Sequence, residues 1–420
     1  IQYPFHLGDQ SSVINNDYIR TVDVYTGTYP VRFGNSTGGV ISIEGPRQVK
    51  KSSSHINVSL FKSDVYHETP LFGGMGYLVG TARQSYANYQ DGQFKLGFTP
   101  WRGHEFTFIY FGARDILDYA RSVAEIAADG DDGGPLGGFG GGNTNDPLSA
   151  DSDTRPPVGL DRGFHTQGFS YAFSYGGFMR NTLLLQTSRF TEDFELDFRS
   201  PLTGETVFGY EVLDSRREFQ IRDELNYEVI KKHMVLNLGV EHNDFRWELG
   251  LRNFSPSSSV NPNTPDFVDV VTELVETNPT FRALLDGDST TFVQDAAFAE
   301  LEIDWWRFRF TPGVRGEWFS LSNSTGVGPR GGVEFNIPEA DTVLLAGAGR
   351  HFNVPTGLNQ VSEEAGNPFL EMEESDHLAG GFEQKLGKLW LIKLELFRNF
   401  FTNVVVEDPY KVIALSPRTN

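Results

Sequence analysis

Residues 19–44 read IRTVDVYTGTYPVRFGNSTGGVISIE. Two short apolar stretches, one around Val22–Tyr25 and one around Val40–Ile43, flank a connection rich in Gly and Pro that carries Arg32. Alternating apolar and polar residues in each flank predict two short strands. The glycines between them allow positive φ and let the backbone approach another surface closely.

Outward from this stretch, the same period-2 alternation recurs along most of the chain. Ala297, Ala299, Leu301, Ile303 and Trp305 fall on one face of a predicted strand, with Glu300, Glu302 and Asp304 on the other. After a turn, Phe308, Phe310, Val314 and Trp318 oppose Arg307, Arg309, Arg315 and Glu317. A soluble β-rich binding domain could show this pattern with its apolar face inward. Three features favour a membrane barrel instead. Short turns alternate with long excursions at 115–162, 197–216, 254–289 and 355–375, as in barrels with short turns on one side and long loops on the other. Met234–Arg252 is nearly unbroken, well beyond the about 5–6 residues of a globular strand. Trp101, Trp305, Trp306 and Trp390 sit at short turns, whereas Trp247 and Trp318 lie about 13 or 14 positions away, ~30 Å along a tilted barrel wall. That spacing predicts two aromatic girdles; the rival reading packs these rings in a core.

The expected fold class is therefore all-β: a transmembrane antiparallel β-barrel, with about twelve strands from Phe94 onward and about three more in Ile56–Tyr89. About fifteen strands, ending after an outward-going strand near Thr402, would leave an open edge in lipid, so the C-terminal part of the barrel is expected to lie beyond Asn420. No signal peptide is recognised at Ile1, and the chain reads as a mature or incomplete piece.

Composition narrows the function. No apolar run reaches the length of a transmembrane helix, a test that β-barrels escape. The net charge of −21 argues against nonspecific nucleic-acid binding. It reads as a solvated surface, or as acidic outer loops that attract cations. Absence of Cys removes disulfides and thiolate metal sites.

No motif points to an enzyme. The Gly-rich run at 130–143 lacks the Gly-Lys-Ser/Thr ending of a phosphate loop and reads as a flexible surface loop. Asp129, Asp131, Asp132 and Asp146 are candidate Ca²⁺ ligands in the loop 129–146, although their spacing departs from an EF-hand. Within 254–289, Val271, Leu274 and Val275 predict a helical patch, and Asn278-Pro279 predicts the start of another that stops at Gly287. His242 lies between Glu241 and Asp244, but on a strand Glu241 and His242 point to opposite faces. Glu300 and Glu302 share a face, which suits a polar lumen wall better than an acid–base pair. Neither a catalytic nor a metal site is assigned.

Four motifs resemble TonB-dependent outer-membrane receptors. The first joins Tyr3-Pro4-Phe5-His6-Leu7-Gly8, Val22-Asp23-Val24-Tyr25-x-Gly27, Pro30-x-Arg32-Phe33-Gly34 and Gly38-Gly39-Val40-Ile41, the end of a plug domain. The second is Glu68-x-Pro70-Leu71 with Gly76 to Tyr86, and the third is Thr99-Pro100 before Phe106-Thr107-Phe108. The fourth runs from Leu370 through Met372-Glu373, Ser375 and His377 to Gly381 and Glu383, with Met372 where the family usually has Pro.

The resemblance implies a plug (1–50) inside a barrel (51–420) of about 22 strands in the full protein, in the Gram-negative outer membrane. It implies import of a scarce ligand, whether metal chelate, oligosaccharide, peptide or vitamin, energised by a TonB complex through a segment absent from this sequence. Lipid and extracellular ligand are then the partners, and no cofactor is implied. Arg32, Gly34, Gly38 and Gly39 become the plug motif, with Arg32 expected to be buried against a barrel Glu. His6, Asp9, Gln10 and Ser11 become candidate ligand contacts at the plug apex. The alternative is a structural β-barrel scaffold in a larger outer-membrane assembly, holding partner proteins by its loops.

Overall fold

A computed structural model of the chain describes residues 3–6, 11–86, 89–118, 158–199, 206–256, 288–355, 358–361, 367–387 and 389–406. The loop 129–146, with its candidate Ca²⁺ ligands, and the two helical patches within 254–289 lie outside the described residues, as do Asp9 and Gln10.

The opening stretch forms its own small sheet. Strand β1 (Thr21–Tyr25) pairs antiparallel with β2 (Val40–Glu44), Thr21 opposite Glu44 and Tyr25 opposite Val40. The other described strands make one antiparallel sheet running from β3 (Ser53–Val58) to β18 (Trp390–Thr402). It has 16 strands. Two of them, β13 (Phe308–Phe310) and β14 (Gly313–Phe319), lie end to end between β12 (Asp288–Trp305) and β15 (Ser324–Ile337). Pro312, which has no N–H to give the ladder, separates them. The 16 strands thus fill fifteen places, the number that the alternation predicts.

The sheet wraps around the first residues of the chain. Arg20 reaches Glu68 on β4 (Lys62–Leu71) at 3.1 Å, and Thr26 reaches Glu395 on β18 at 3.0 Å. Six residues of chain span at most about 20 Å. Laid flat, β4 and β18 would stand about 60 Å apart. Only a curled sheet brings both to the same short segment. Side chains that meet the first 31 residues, such as Arg83, Asp115, Glu300 and Arg315, line the inner face. Residues of the opposite strand parity point the other way, and many are apolar and exposed, as with Phe169, Leu183, Leu185, Phe219, Ile221 and Val240. This inversion, polar in and apolar out, is the pattern of a wall that faces lipid.

Two expectations change. The excursion at 197–216 is mostly strand: β9 (Met179–Arg199) and β10 (Thr206–Ile230) run 21 and 25 residues and leave only 200–205 between them. Backbone pairing continues from Thr187↔Phe219 to Arg199↔Thr206, so the hairpin stays paired through residues whose polarity resembles a loop. The second girdle also loses a member. Trp101, Trp305, Trp306 and Trp390 are 65–76% exposed at the short turns, but Trp247 is 6% exposed. Its ring meets Phe292 edge-on at 5.0 Å, inside a cluster with Phe319, Phe352, Val354 and Met372. Residue 247 shares strand parity with the inward Asn243 and Phe245, which places it in the lumen.

In single-Trp variants placed in bilayers with lipids brominated near the headgroup, Trp101, Trp305 and Trp390 are expected to be quenched. Trp247 is expected to be shielded, and equal quenching of all four would contradict the inward placement.

Candidate functional site

The loop between β1 and β2 is held by the inner wall almost wholly through its backbone. Val31 N–H donates to the Glu300 carboxylate at 3.2 Å. The carbonyls of Arg32 and Phe33 each accept from a wall arginine, Arg222 and Arg330, at 2.6 Å. Arg315 adds a longer contact to the Val31 carbonyl at 3.4 Å. Asn35 Oδ1 accepts from Val354 N–H at 2.9 Å, and Ser36 N–H donates to the Phe352 carbonyl at 3.1 Å. On β17 (Glu373–Leu386), His377 bridges the Gly27 and Thr37 carbonyls, 2.8 Å from each.

Two of the arginines are in turn held by wall carboxylates. Arg315 is 1% exposed, bonded to Glu317 on its own strand and to Glu241 at 3.3 Å on β11 (Met234–Pro256). Arg222 joins Glu224 and Glu241. Three strands thus share one chain of charges, with the plug loop lying on it. Removing one member of a buried network of this kind leaves an unpaired charge and costs roughly 3–5 kcal/mol.

A second polar box closes on the start of the chain. His6 is buried between two wall carboxylates: Nδ1 meets Asp115, and Nε2 meets Asp91 at 3.1 Å. Its ring stacks on Tyr89 at 4.0 Å. Arg83 donates to Asp91 at 2.5 Å and to Ser11 Oγ at 3.1 Å, and also meets the Ser12 carbonyl. Arg162 bonds Asp115 at 3.1 Å and lies 4.3 Å from the Tyr3 ring centroid. Burial pulls the His6 pKa down, but the hydrogen bonds to Asp115 and Asp91 outweigh it and hold the value above the usual histidine range.

The residues expected from the sequence divide. Gly34 sits where a Cβ would lie 2.3 Å from Arg315 Nε and 2.4 Å from Glu317 Oε1, so only glycine lets the loop rest on this ion pair. At Gly39 a Cβ would lie 2.6 Å from the Tyr25 carbonyl, whereas Gly38 faces open space. Arg32 is not buried against a Glu. Its side chain is exposed over Phe33 at 5.2 Å, and its carbonyl makes the wall contact. The arginine–carboxylate pairing expected across the interface instead lies within the wall, which already neutralises its own carboxylates. His6 is likewise sealed by Asp91 and Asp115 rather than presented to a ligand, and Ser11 is engaged by Arg83. Glu241 and His242 do point to opposite faces: Glu241 to the lumen network and His242 outward to Asp295 at 2.6 Å. The sequence marks Arg315 and Glu317 as a polar face, but nothing local to them names Val31 as their contact.

With plug loop, polar lumen and apolar exterior in place, comparison with known families gives one match. Residues 107–417 match the family model described as TonB dependent receptor-like, beta-barrel. The chain belongs to the TonB-dependent receptor family. Members of this family are Gram-negative outer-membrane proteins. Solved structures agree in fold. The siderophore receptor PirA from Acinetobacter baumannii aligns with a TM-score of 0.62 at 12% identity, over 91% of this chain and 57% of that one. A mutant of the ferric enterobactin receptor PfeA from Pseudomonas aeruginosa gives 0.64 at 14% identity, over 93% and 59%. The outer membrane transporter YddB from Escherichia coli gives 0.58 at 10%, over 92% and 57%. The chain therefore spans about three fifths of the length of these structures. No curated protein sequence matches it.

Two outcomes are expected of the receptor's plug. Arg315→Ala should weaken docking by roughly 3–5 kcal/mol, read as faster proteolysis of residues 20–45 in folded barrels. Because the folded His6 pKa is raised, its contribution is complete below about 6.5, the unfolded value, and is lost as pH rises through the folded value. Plug protection measured by hydrogen exchange should fall over that rise in the wild type and stay flat in His6→Gln.

Proposed function

We propose that this protein is an outer-membrane receptor that binds a scarce extracellular ligand and admits it by releasing the plug from the wall, driven by a TonB complex. The observation that carries this reading is the chemistry of the seam. The plug loop is fastened by hydrogen bonds, and these exchange for water with little net loss, unlike a packed apolar core. A cavity of about 420 Å³ between Ile41, Ile43 and wall residues Lys95, Ile109 and Phe111 leaves part of the seam unpacked. The inner wall is polar and suits passage of a hydrated solute.

Ferric chelates are the first ligands to test, because PirA and PfeA are a siderophore receptor and a ferric enterobactin receptor. Oligosaccharides, peptides and vitamins follow. The candidate contacts are the long loops and the aromatic cluster around Trp247 and Phe352, above the plug loop.

The chain has no cysteine, so a single engineered pair can lock the plug. A Cβ at Gly347 would lie 3.4 Å from the Thr28 Cβ, close to disulfide geometry. In the full-length protein, Thr28→Cys with Gly347→Cys should bind labelled ferric chelate normally but import none until a reductant is added. Import at the wild-type rate through the oxidised pair would refute plug release. Loss of no ligand's uptake on deleting the gene would refute the receptor reading itself.

A further inference from the structure

A groove of about 860 Å³ opens on the wall, on the face opposite the plug. Its floor is a single register row. Val65, Ala82, Gly92, Gly112, His165 and Arg189 are successive cross-strand partners from β4 to β9. Their strand neighbours Arg83, Asp91, Ala113, Phe164 and Ser188 are buried toward the lumen, so the row itself points outward. Gly92 leaves a trough in the row, where a Cβ would meet only the Thr81 carbonyl at 3.3 Å, and the hydroxyl end of Tyr110 lies over Gly112 directly opposite.

At one end the row turns cationic. Arg189 stands opposite Arg217, and Arg217 opposite Arg246. Like charges directly opposite on neighbouring strands repel. Arg246 is matched by Glu248 at 2.8 Å, and Arg114, on the groove's upper edge, by Asp161. Arg189, Arg217 and His165 have no hydrogen bond or ion pair to any described residue. In a chain of net charge −21, this is an outward cluster of positive charge that no described carboxylate matches.

Its height identifies its surroundings. Arg114, His165, Arg189, Arg217 and Arg246 lie about 11 to 14 positions from the short turns of their strands, roughly 28–35 Å up a tilted wall. The apolar band of such a wall is about 25 Å tall. The arginines therefore stand at headgroup level on the long-loop side, with the glycine trough beside them at the edge of the hydrocarbon.

We propose that this groove binds a phosphorylated lipid of the outer leaflet. Its phosphate is held by Arg189 and Arg217, with His165 and Arg114 at the rim, and one acyl chain lies over Ala82 and Gly92, beside Tyr110. Guanidinium forks match phosphate oxygens, and a bound phosphate relieves the repulsion between opposed arginines. The trough selects a lipid over a free anion, because a soluble phosphate has nothing to place in it.

The test is native mass spectrometry of the full-length protein released from phosphatidylcholine nanodiscs with or without phosphatidic acid. The wild type should keep one phosphatidic acid, about tenfold more often than phosphatidylcholine. Arg189→Gln with Arg217→Gln should lower this retention about tenfold. Gly92→Leu should do the same with every arginine in place, since its new Cβ meets only the Thr81 carbonyl at 3.3 Å. Heat-modifiable gel migration checks that each variant folds. Equal retention in all variants would overturn the proposal. So would loss in the arginine variant with full retention in Gly92→Leu and complete displacement by inorganic phosphate, which would mark an anion site without a lipid.

Discussion

The carbonyl groups of Val31, Arg32 and Phe33 lie inside a β-wall, and a buried carbonyl without a donor costs as much as a lost hydrogen bond. Strands cannot satisfy them, because strand N–H groups are spent on their own ladders. Side chains from the wall have to reach in, and Arg222, Arg315 and Arg330 do so from β10, β14 and β15. Buried guanidinium groups need counter-charges, which Glu224, Glu241 and Glu317 supply to Arg222 and Arg315. The polar lumen follows from this requirement. The apolar exterior follows from the polar lumen, since neighbouring residues of a strand must face opposite ways.

The same arrangement holds the wall and the loop by different bonding. Within the wall, the ladder runs over long strands with register shifts near their ends, and Arg315 is locked by two carboxylates. Between wall and loop, each link is one hydrogen bond to a carbonyl or an amide. The loop fits because Gly34 removes the side chain that would strike Arg315, and Gly347 does the same on the wall beside Thr28. Close approach without interdigitating apolar side chains gives a specific but separable contact.

On the outer face, the chemistry reverses within a few residues. The rings of Trp101, Trp305, Trp306 and Trp390 mark one edge of the apolar band, and the row from Arg189 to Arg246 marks the other. Tryptophan and arginine both suit an interface, one through an amphipathic ring and the other through a charge that phosphate can meet. Two different edges of one band imply two different leaflets.

Strand alternation, the side on which the long connections lie, and the place of Glu300, Arg315 and Glu317 on a polar face were all legible in the sequence, because period 2 depends only on backbone geometry. So was the close approach at Gly34, since a glycine lets a loop backbone rest against a surface that any side chain would strike. The partners were not legible. Arg32 reads as the cation that meets a barrel carboxylate, yet the wall carries both the cations and the carboxylates and takes only its carbonyl. His6 reads as an apex residue, yet Asp91 and Asp115 close over it from strands some hundred residues away. Trp247 reads as a girdle residue, and strand parity and Phe292 turn it inward. The chain by itself determined which way each side chain faces along its strand. Only the closing of the sheet decided what each one meets, because curling fifteen strand places around one short segment joins residues that no local spacing relates.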